Sequence, residues 1–301
     1  MGKKGKKAQA GKPKKLKPKD VSKRLDALVK KLEEELTGAD LYAPLPPTED
    51  CAICLVPVSR LVSDTYYNFC CGNFICVACS KENEAAIKKQ NGEKSAGKKV
   101  ALTCPFCREA RPTCNAEEHA QIEARCLQND PYAFTMMGEM YRYGDRQVAK
   151  DDLRALDCWI RAVELGSPDA CINIGICYNE GNGVSVDVER AALFERVGAL
   201  RGDVYARNNI GDSEYYKLGN HEIGIRHWKI AAEAGYQSSL NALRDIYNAD
   251  GKHPGKEFIS KEYLDFAYRA CHGAQMEVKT EERDKHCIAE ECTCVDCGCK
   301  C

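Results

Sequence analysis

Apolar positions change their period several times along the chain. Residues 1–19 hold Leu16 as the only large aliphatic side chain after Met1, among Lys, Gly, Pro and Ala. That is too little apolar surface to offset the entropy of ordering, so residues 1–20 are expected to form a disordered basic arm. Val21, Leu25, Leu28, Val29, Leu32 and Leu36 then recur at helical spacing, which predicts an amphipathic helix over 21–38 with Gly38 as its C-terminal cap. Lys23 and Arg24 at its start and Glu33, Glu34 and Glu35 at its end oppose the helix dipole. Such a helix needs its leucine stripe docked, either on the rest of the chain or on a partner. Ala43-Pro44-Leu45-Pro46-Pro47 follows and predicts a stiff linker.

Beyond residue 125 the chain repeats itself. Ala133, Gly138 and Tyr141 recur as Ala170, Gly175 and Tyr178, then as Ala206 and Gly211 with Glu214 in the tyrosine place, and last as Ser239, Arg244 and Tyr247. Each set precedes a second helical stretch ending in glycine, at Gly166, Gly202, Gly235 and Gly273. A period of about 36 residues with two helices per unit predicts an α-solenoid over 126–274. The motif, and the stretch 177–197 above all, resembles Sel1-like repeats, relatives of the tetratricopeptide repeat. That resemblance implies an extended surface for protein segments. Cys158, Cys171, Cys177 and Cys271 fall in these helices as small core residues. His221, His227, His253 and His272 are dispersed without metal spacing, and the stretch carries no phosphate loop and no catalytic triad.

Composition changes the picture at the cysteines. The chain has 301 residues, is 44% hydrophobic and carries a net charge of −1. Residues 1–31 carry about +11 and the remainder about −12, so a basic arm precedes an acidic body. With no apolar run long enough to span a membrane and no export signal, a soluble protein of the cytoplasm or nucleus is expected. In those compartments its 20 cysteines stay reduced and point to metal. The lysine runs could meet nucleic acid, but residues 1–31 hold no aromatic side chain to stack on bases, so a localisation tail is the expectation.

Eight cysteines form one cluster: CAIC, then CC, then CVAC, then CPFC between Cys51 and Cys107, with no histidine among them. Four pairs can hold two zinc ions tetrahedrally through Cys51, Cys54, Cys70, Cys71, Cys76, Cys79, Cys104 and Cys107. Adjacent cysteines chelate one ion poorly, so Asn73 or Cys114 stays open as an alternative at the second site. The segment Lys88–Lys99 inside the cluster reads as a solvated loop.

This cluster resembles an all-cysteine RING finger over residues 48–112. The resemblance implies a cross-braced pair of zinc sites: Cys51, Cys54, Cys76 and Cys79 at the first, Cys70, Cys71, Cys104 and Cys107 at the second. It also implies that Ile53, Pro105 and Phe106 bind a ubiquitin-conjugating enzyme. Arg108, directly after the last ligand, would hold enzyme and ubiquitin in the reactive arrangement. Lys81-Glu82-Asn83-Glu84 stands where many of these domains carry a tryptophan.

The tail over 285–301 places Cys287, Cys292, Cys294, Cys297, Cys299 and Cys301 at close spacing. It resembles a metallothionein fragment and suits soft metals. The fold class expected is therefore mainly α: a small zinc-bound RING followed by a solenoid. The function expected is a RING-type ubiquitin ligase with a protein substrate on the repeats. The alternative is a zinc-dependent interaction scaffold without catalysis.

Overall fold

The computed structural model describes residues 16–276 apart from 56, 59, 61–64, 93–101, 147 and 252. The first fifteen residues of the basic arm, the cysteine tail and most of the Lys88–Lys99 segment lie outside the described residues.

Helix α1 (Pro18–Leu36) starts three residues earlier than the apolar pattern predicts. Proline at the first helical position is pre-set in φ and needs no hydrogen-bond acceptor there, so Pro18–Asp20 join the helix rather than the arm. The C-cap is Thr37, with Gly38 following at φ +77°. Val21, Leu25, Leu28, Val29 and Leu32 are all buried in one core with Trp159, Ile160, Phe194 and Val197. The stripe therefore docks on the chain's own repeats, against α5 (Asp152–Glu164) and α7 (Val188–Leu200). Two of the charges that oppose the helix dipole find partners there, Arg24 with Asp157 and Glu35 with Arg201 at 2.9 Å, and Asp26 pairs with Arg190 at 2.8 Å. These pairs are partly exposed and add little each, so apolar burial holds the helix.

Leu25→Asp is accordingly expected to detach α1, because Leu25 is 1% exposed and an unpaired carboxylate there has no donor. Hydrogen exchange should rise across residues 18–36 and along α5 and α7. Unchanged protection of α5 would show that α1 contributes nothing to the solenoid.

The repeats are four helix pairs. The first helices are α4 (Pro131–Tyr143), α6 (Pro168–Glu180), α8 (Val204–Asp212) and α10 (Gln237–Asn248). The second helices are α5, α7, α9 (His221–Glu233) and α11 (Lys261–Met276). The motif glycines are close-approach sites. A Cβ on Gly138 would overlap the Trp159 ring, and one on Gly211 would lie 2.6 Å from Trp228 Cδ1. The motif tyrosines are held by the next helix: Arg154 donates to the Tyr141 hydroxyl at 3.4 Å and Arg190 to that of Tyr178 at 3.2 Å. Gly166, Gly202 and Gly235 end their helices at φ near +100°, at +98°, +102° and +95°.

Two details depart from the sequence pattern. In the third repeat a wider, π-helical turn over Ser213–Lys217 absorbs an extra residue. Tyr215, one place after Glu214, is then the buried aromatic, 4.9 Å from the Trp228 ring. In the fourth repeat α11 runs through Gly273 to Met276, so that glycine does not end its helix.

The linker is fastened at Pro46 and just before it, at Leu41 and Tyr42. Buried Arg207 donates to Leu41 O, and to Ala199 O at 2.7 Å. Tyr42 packs on His227 at 5.3 Å between ring centroids, and the Arg226 guanidinium lies over the Tyr42 ring at 5.3 Å from its centroid. Burial and the nearby Arg207 charge push His227 down to about 4, so it packs there as a neutral ring. Arg60 then bridges Pro46 O and Gly202 O.

Candidate metal centre

The cysteine module is built from two knuckles and a hairpin. In the first knuckle Asp50 bridges Pro57, Leu55 N–H donates to Cys51 O at 2.8 Å, and Leu55 takes φ +57°. In the second, Thr103 bridges Ala110, Arg108 N–H donates to Cys104 O at 3.0 Å, and Arg108 takes φ +61°. Leu55 and Arg108 thus occupy equivalent positions, each in a backbone region that side chains other than glycine rarely enter. The hairpin pairs β1 (Thr65–Asn68) antiparallel with β2 (Asn73–Cys76) and carries Cys70 and Cys71 in its turn. Helix α2 (Val77–Gly92) follows directly, so Lys88–Gly92 are helical rather than loop. Helix α3 (Asn115–Cys126), which the sequence pattern did not single out, joins the module to the first repeat.

These elements gather eight thiols into two groups. Cys51, Cys54, Cys76 and Cys79 form one, and Cys70, Cys71, Cys104 and Cys107 the other, with all sulfurs in a group within 4.8 Å of one another. The Cys54 and Cys76 sulfurs are 4.0 Å apart and those of Cys71 and Cys104 are 3.7 Å apart. Four sulfurs at ~2.3 Å from a tetrahedral zinc lie about 3.8 Å from each other, so both groups fit that ion in size and donor type. Adjacent Cys70 and Cys71 share a group, because the turn around Gly72 at φ +77° folds the backbone back. Asn73 donates its amide to Cys71 Sγ at 3.2 Å and so supports a ligand position instead of occupying one. Cys114 is exposed and stands at the N-cap position of α3 without a side-chain capping bond; it belongs to neither group.

The electrostatics favour a cation. Burial raises the Cys76, Cys79 and Cys104 thiols, and the charges of Cys51 and Cys76 raise Cys79 further. Cys70 is raised by burial and by its hydrogen bonds to Cys107 and Cys104. Burial opposes ionisation of Cys51 too, but backbone donors from Cys54, Cys76 and Ile53 outweigh it and bring that thiol to about 7. Four thiols this close cannot all ionise without a shared positive charge, and a divalent metal supplies it.

Around this centre Ile53 is 43% exposed and Leu55 75% exposed. Phe106 is partly buried against the core of Cys51, Val58, Ile75, Cys76 and Cys79, so the second knuckle leans on the first. Pro105 is half-buried and Arg108 is exposed. Sequence reasoning missed Leu55; the signal was its place directly after a CxxC pair, matching Arg108.

It also missed how the module is tied to the solenoid. Tyr67 of β1 donates to Asp130, and Arg125 of α3 donates to the same carboxylate at 2.8 Å. The other oxygen of Asp130 caps α4 through Tyr132 N and Ala133 N at 3.0 and 3.2 Å. Tyr67, Phe69 and Phe74 pack with Tyr132, the Tyr67–Tyr132 centroids being 4.6 Å apart. A second unpredicted cluster, Glu139, Asp169 and Asp203, faces a cavity beside Tyr132.

Fold and site together define a class: a thiol-rich module whose two cysteine groups could each hold a metal ion, fastened to a helical-repeat solenoid. Within it, residues 131–167, 168–194 and 205–236 match the Sel1 repeat family. Repeats of this kind mediate protein–protein contacts. A sel1-like repeat-containing protein of Acanthamoeba polyphaga mimivirus is 29% identical over 103 residues, covering 34% of this chain and 19% of that protein. Among solved structures, a Sel1 repeat protein from Oxalobacter formigenes is 31% identical, covers 52% of this chain and 64% of its own, and has a TM-score of 0.43. A protective antigen of uropathogenic Escherichia coli, described as having an SLR fold, is 20% identical, covers 66% and 40%, and has a TM-score of 0.44. The chain thus spans less than two thirds of each of these relatives. No helix among the described residues is long and apolar enough to cross a membrane.

Proposed function

We propose that this chain is a RING-type ubiquitin ligase, with zinc in both thiol groups and a protein substrate held by the Sel1 repeats. The observation that carries the reading is the interleaving of the two groups. The first and third cysteine pairs share one group and the second and fourth share the other. Zinc at these sites would fix the two knuckles relative to each other. Ile53 and Leu55 then offer an apolar contact for a conjugating enzyme, beside the Phe106 knuckle. Arg108 presents a planar five-donor group from a fixed backbone position, suited to bridging two proteins. Catalysis of this kind needs orientation of a mobile thioester and no nucleophile in the module itself. A solenoid fastened to the module raises the effective concentration of a bound substrate's lysine near that thioester. The reduced-thiol chemistry suits the nucleus or cytoplasm.

The test is discharge of ubiquitin onto free lysine from a panel of charged conjugating enzymes, with the full chain and its zinc content measured. Acceleration is expected, and Arg108→Ala and Ile53→Ala should each reduce it by about tenfold or more, or ~1.4 kcal/mol of transition-state positioning. The second reading, a scaffold without catalysis, draws on Glu84, which stands after the sixth cysteine and is engaged by Arg111 instead of offering an apolar contact. A two-zinc chain that accelerates no enzyme in the panel would establish that reading instead.

A further inference from the structure

We propose that the pocket on the face shared by α4, α6 and α8 receives a lysine or arginine side chain of a partner polypeptide. The inference deepens the protein-binding role of the repeats and is independent of what the cysteine module does. The pocket has a volume of about 210 Å³. Its walls are Tyr132 and Tyr205, and Met136 and Ile172 supply further apolar lining. Its charged groups are Glu139, Asp169 and Asp203, with no lysine or arginine in the lining.

That combination selects its occupant. The aliphatic stem of a long cationic side chain suits the apolar lining, and its charged head suits the carboxyls. An acidic segment would add a like charge to three acids, and a purely apolar one would remove water from three half-buried carboxyls without bringing a positive charge. A metal ion is a poorer fit, since among the described residues only the two cysteine groups bring three or more ligand atoms together.

The acids are also short of positive charge. Burial, then the Asp203 charge, raises Asp169 to about 7, and Asp203 is itself raised by burial. Burial raises Glu139 as well, although Asn173 donates to it and Arg146 acts on it from outside the lining. Asp169 is thus faced by Asp203 at the start of α8 and Glu139 from α4, both acidic, and by Tyr132 of α4, whose hydroxyl burial keeps neutral. An arriving ammonium or guanidinium would let Asp169 ionise, so binding should release protons near pH 7. The pocket lies on the first-helix face, whereas α1 packs on α5 and α7, so the helix that covers the solenoid does not cover the pocket.

The experiment uses the full chain and pools of nonapeptides whose central residue is lysine, arginine, norleucine or glutamate, with the other positions mixed. Affinity is read by fluorescence anisotropy. Lysine and arginine pools are expected to bind at least tenfold more tightly than the norleucine pool. That preference should disappear in the double variant Asp169→Asn, Asp203→Asn, in which asparagine can still cap α8. Calorimetry at pH 7 in buffers of different ionisation enthalpy should show proton release for the lysine pool. Equal binding of the norleucine or glutamate pool, or a lysine preference that survives the double variant, would overturn the proposal. So would binding that requires removal of residues 1–15, since the chain's own lysines would then be the occupant. Peptide binding and ubiquitin discharge are read separately, so failure of one leaves the other standing.

Discussion

Replacing Cys76 with serine is expected to collapse the cysteine module and to loosen the first repeat with it. Cys76 is 2% exposed, ends β2 and contributes to the first thiol group. The module's own buried core is Cys51, Val58, Ile75, Cys76 and Cys79, small for some sixty residues, so the proposed metal would be its main support. With zinc in this group, as proposed, the metal would contribute roughly 10–16 kcal/mol to the fold, and loss of one of its four thiolates would weaken that contribution. The collapse reaches the solenoid because β1 carries Tyr67, which helps to hold the carboxylate that caps α4. Zinc per chain should fall by at least one ion, and hydrogen exchange should quicken over residues 131–143 as well as within the module. Tyr67→Phe should quicken exchange at the start of α4 while leaving zinc content unchanged. Full protection of α4 in the Cys76→Ser chain would show that the two parts fold independently.

Trp159→Ala is expected to be the most damaging single change within the repeats. The ring is 2% exposed, lies against Gly138 and shares a core with Leu25 and Leu32 of α1. Its indole N–H donates to Thr135 O at 3.1 Å. Truncation opens a cavity and leaves that carbonyl short of a donor, a loss of about 3–5 kcal/mol. For a unit of this size the melting temperature should fall by on the order of 10 °C. Gly138→Ala should have a similar effect from the other side, because the added methyl overlaps the ring. A drop of only a few degrees in both variants would mean that α4 and α5 can separate without disturbing their neighbours.

Much of this architecture can be read from residue spacing. The 36-residue period and its small residues predict paired helices, because two helices approach closely only where a position such as Gly138 or Gly211 has no side chain. The Val21–Leu32 stripe predicts a docked helix, since its charges alone do not stabilise it. The cysteine pairs predict two ligand groups, because CxxC is a local geometry that a short turn already satisfies. Where the local pattern misled, the reason lay in packing. Glu214 stands at the tyrosine position, but the wide turn at Ser213–Lys217 shifts the buried aromatic to Tyr215. The polar segment Lys88–Lys99 reads as loop, yet its first part continues α2 to Gly92.

Sequence by itself therefore determined α1, the paired helices of the repeats and the chemical identity of the candidate ligands, all of which depend on neighbours within one or two turns. Only the tertiary structure decided what those elements meet. It places α1 on α5 and α7, ties Tyr67 to Asp130 across 63 residues, and brings Glu139, Asp169 and Asp203 from three repeats to one pocket. Each of these contacts joins residues far apart in the chain. Their partners are selected by the shape and charge of surfaces that exist only once the helices have packed.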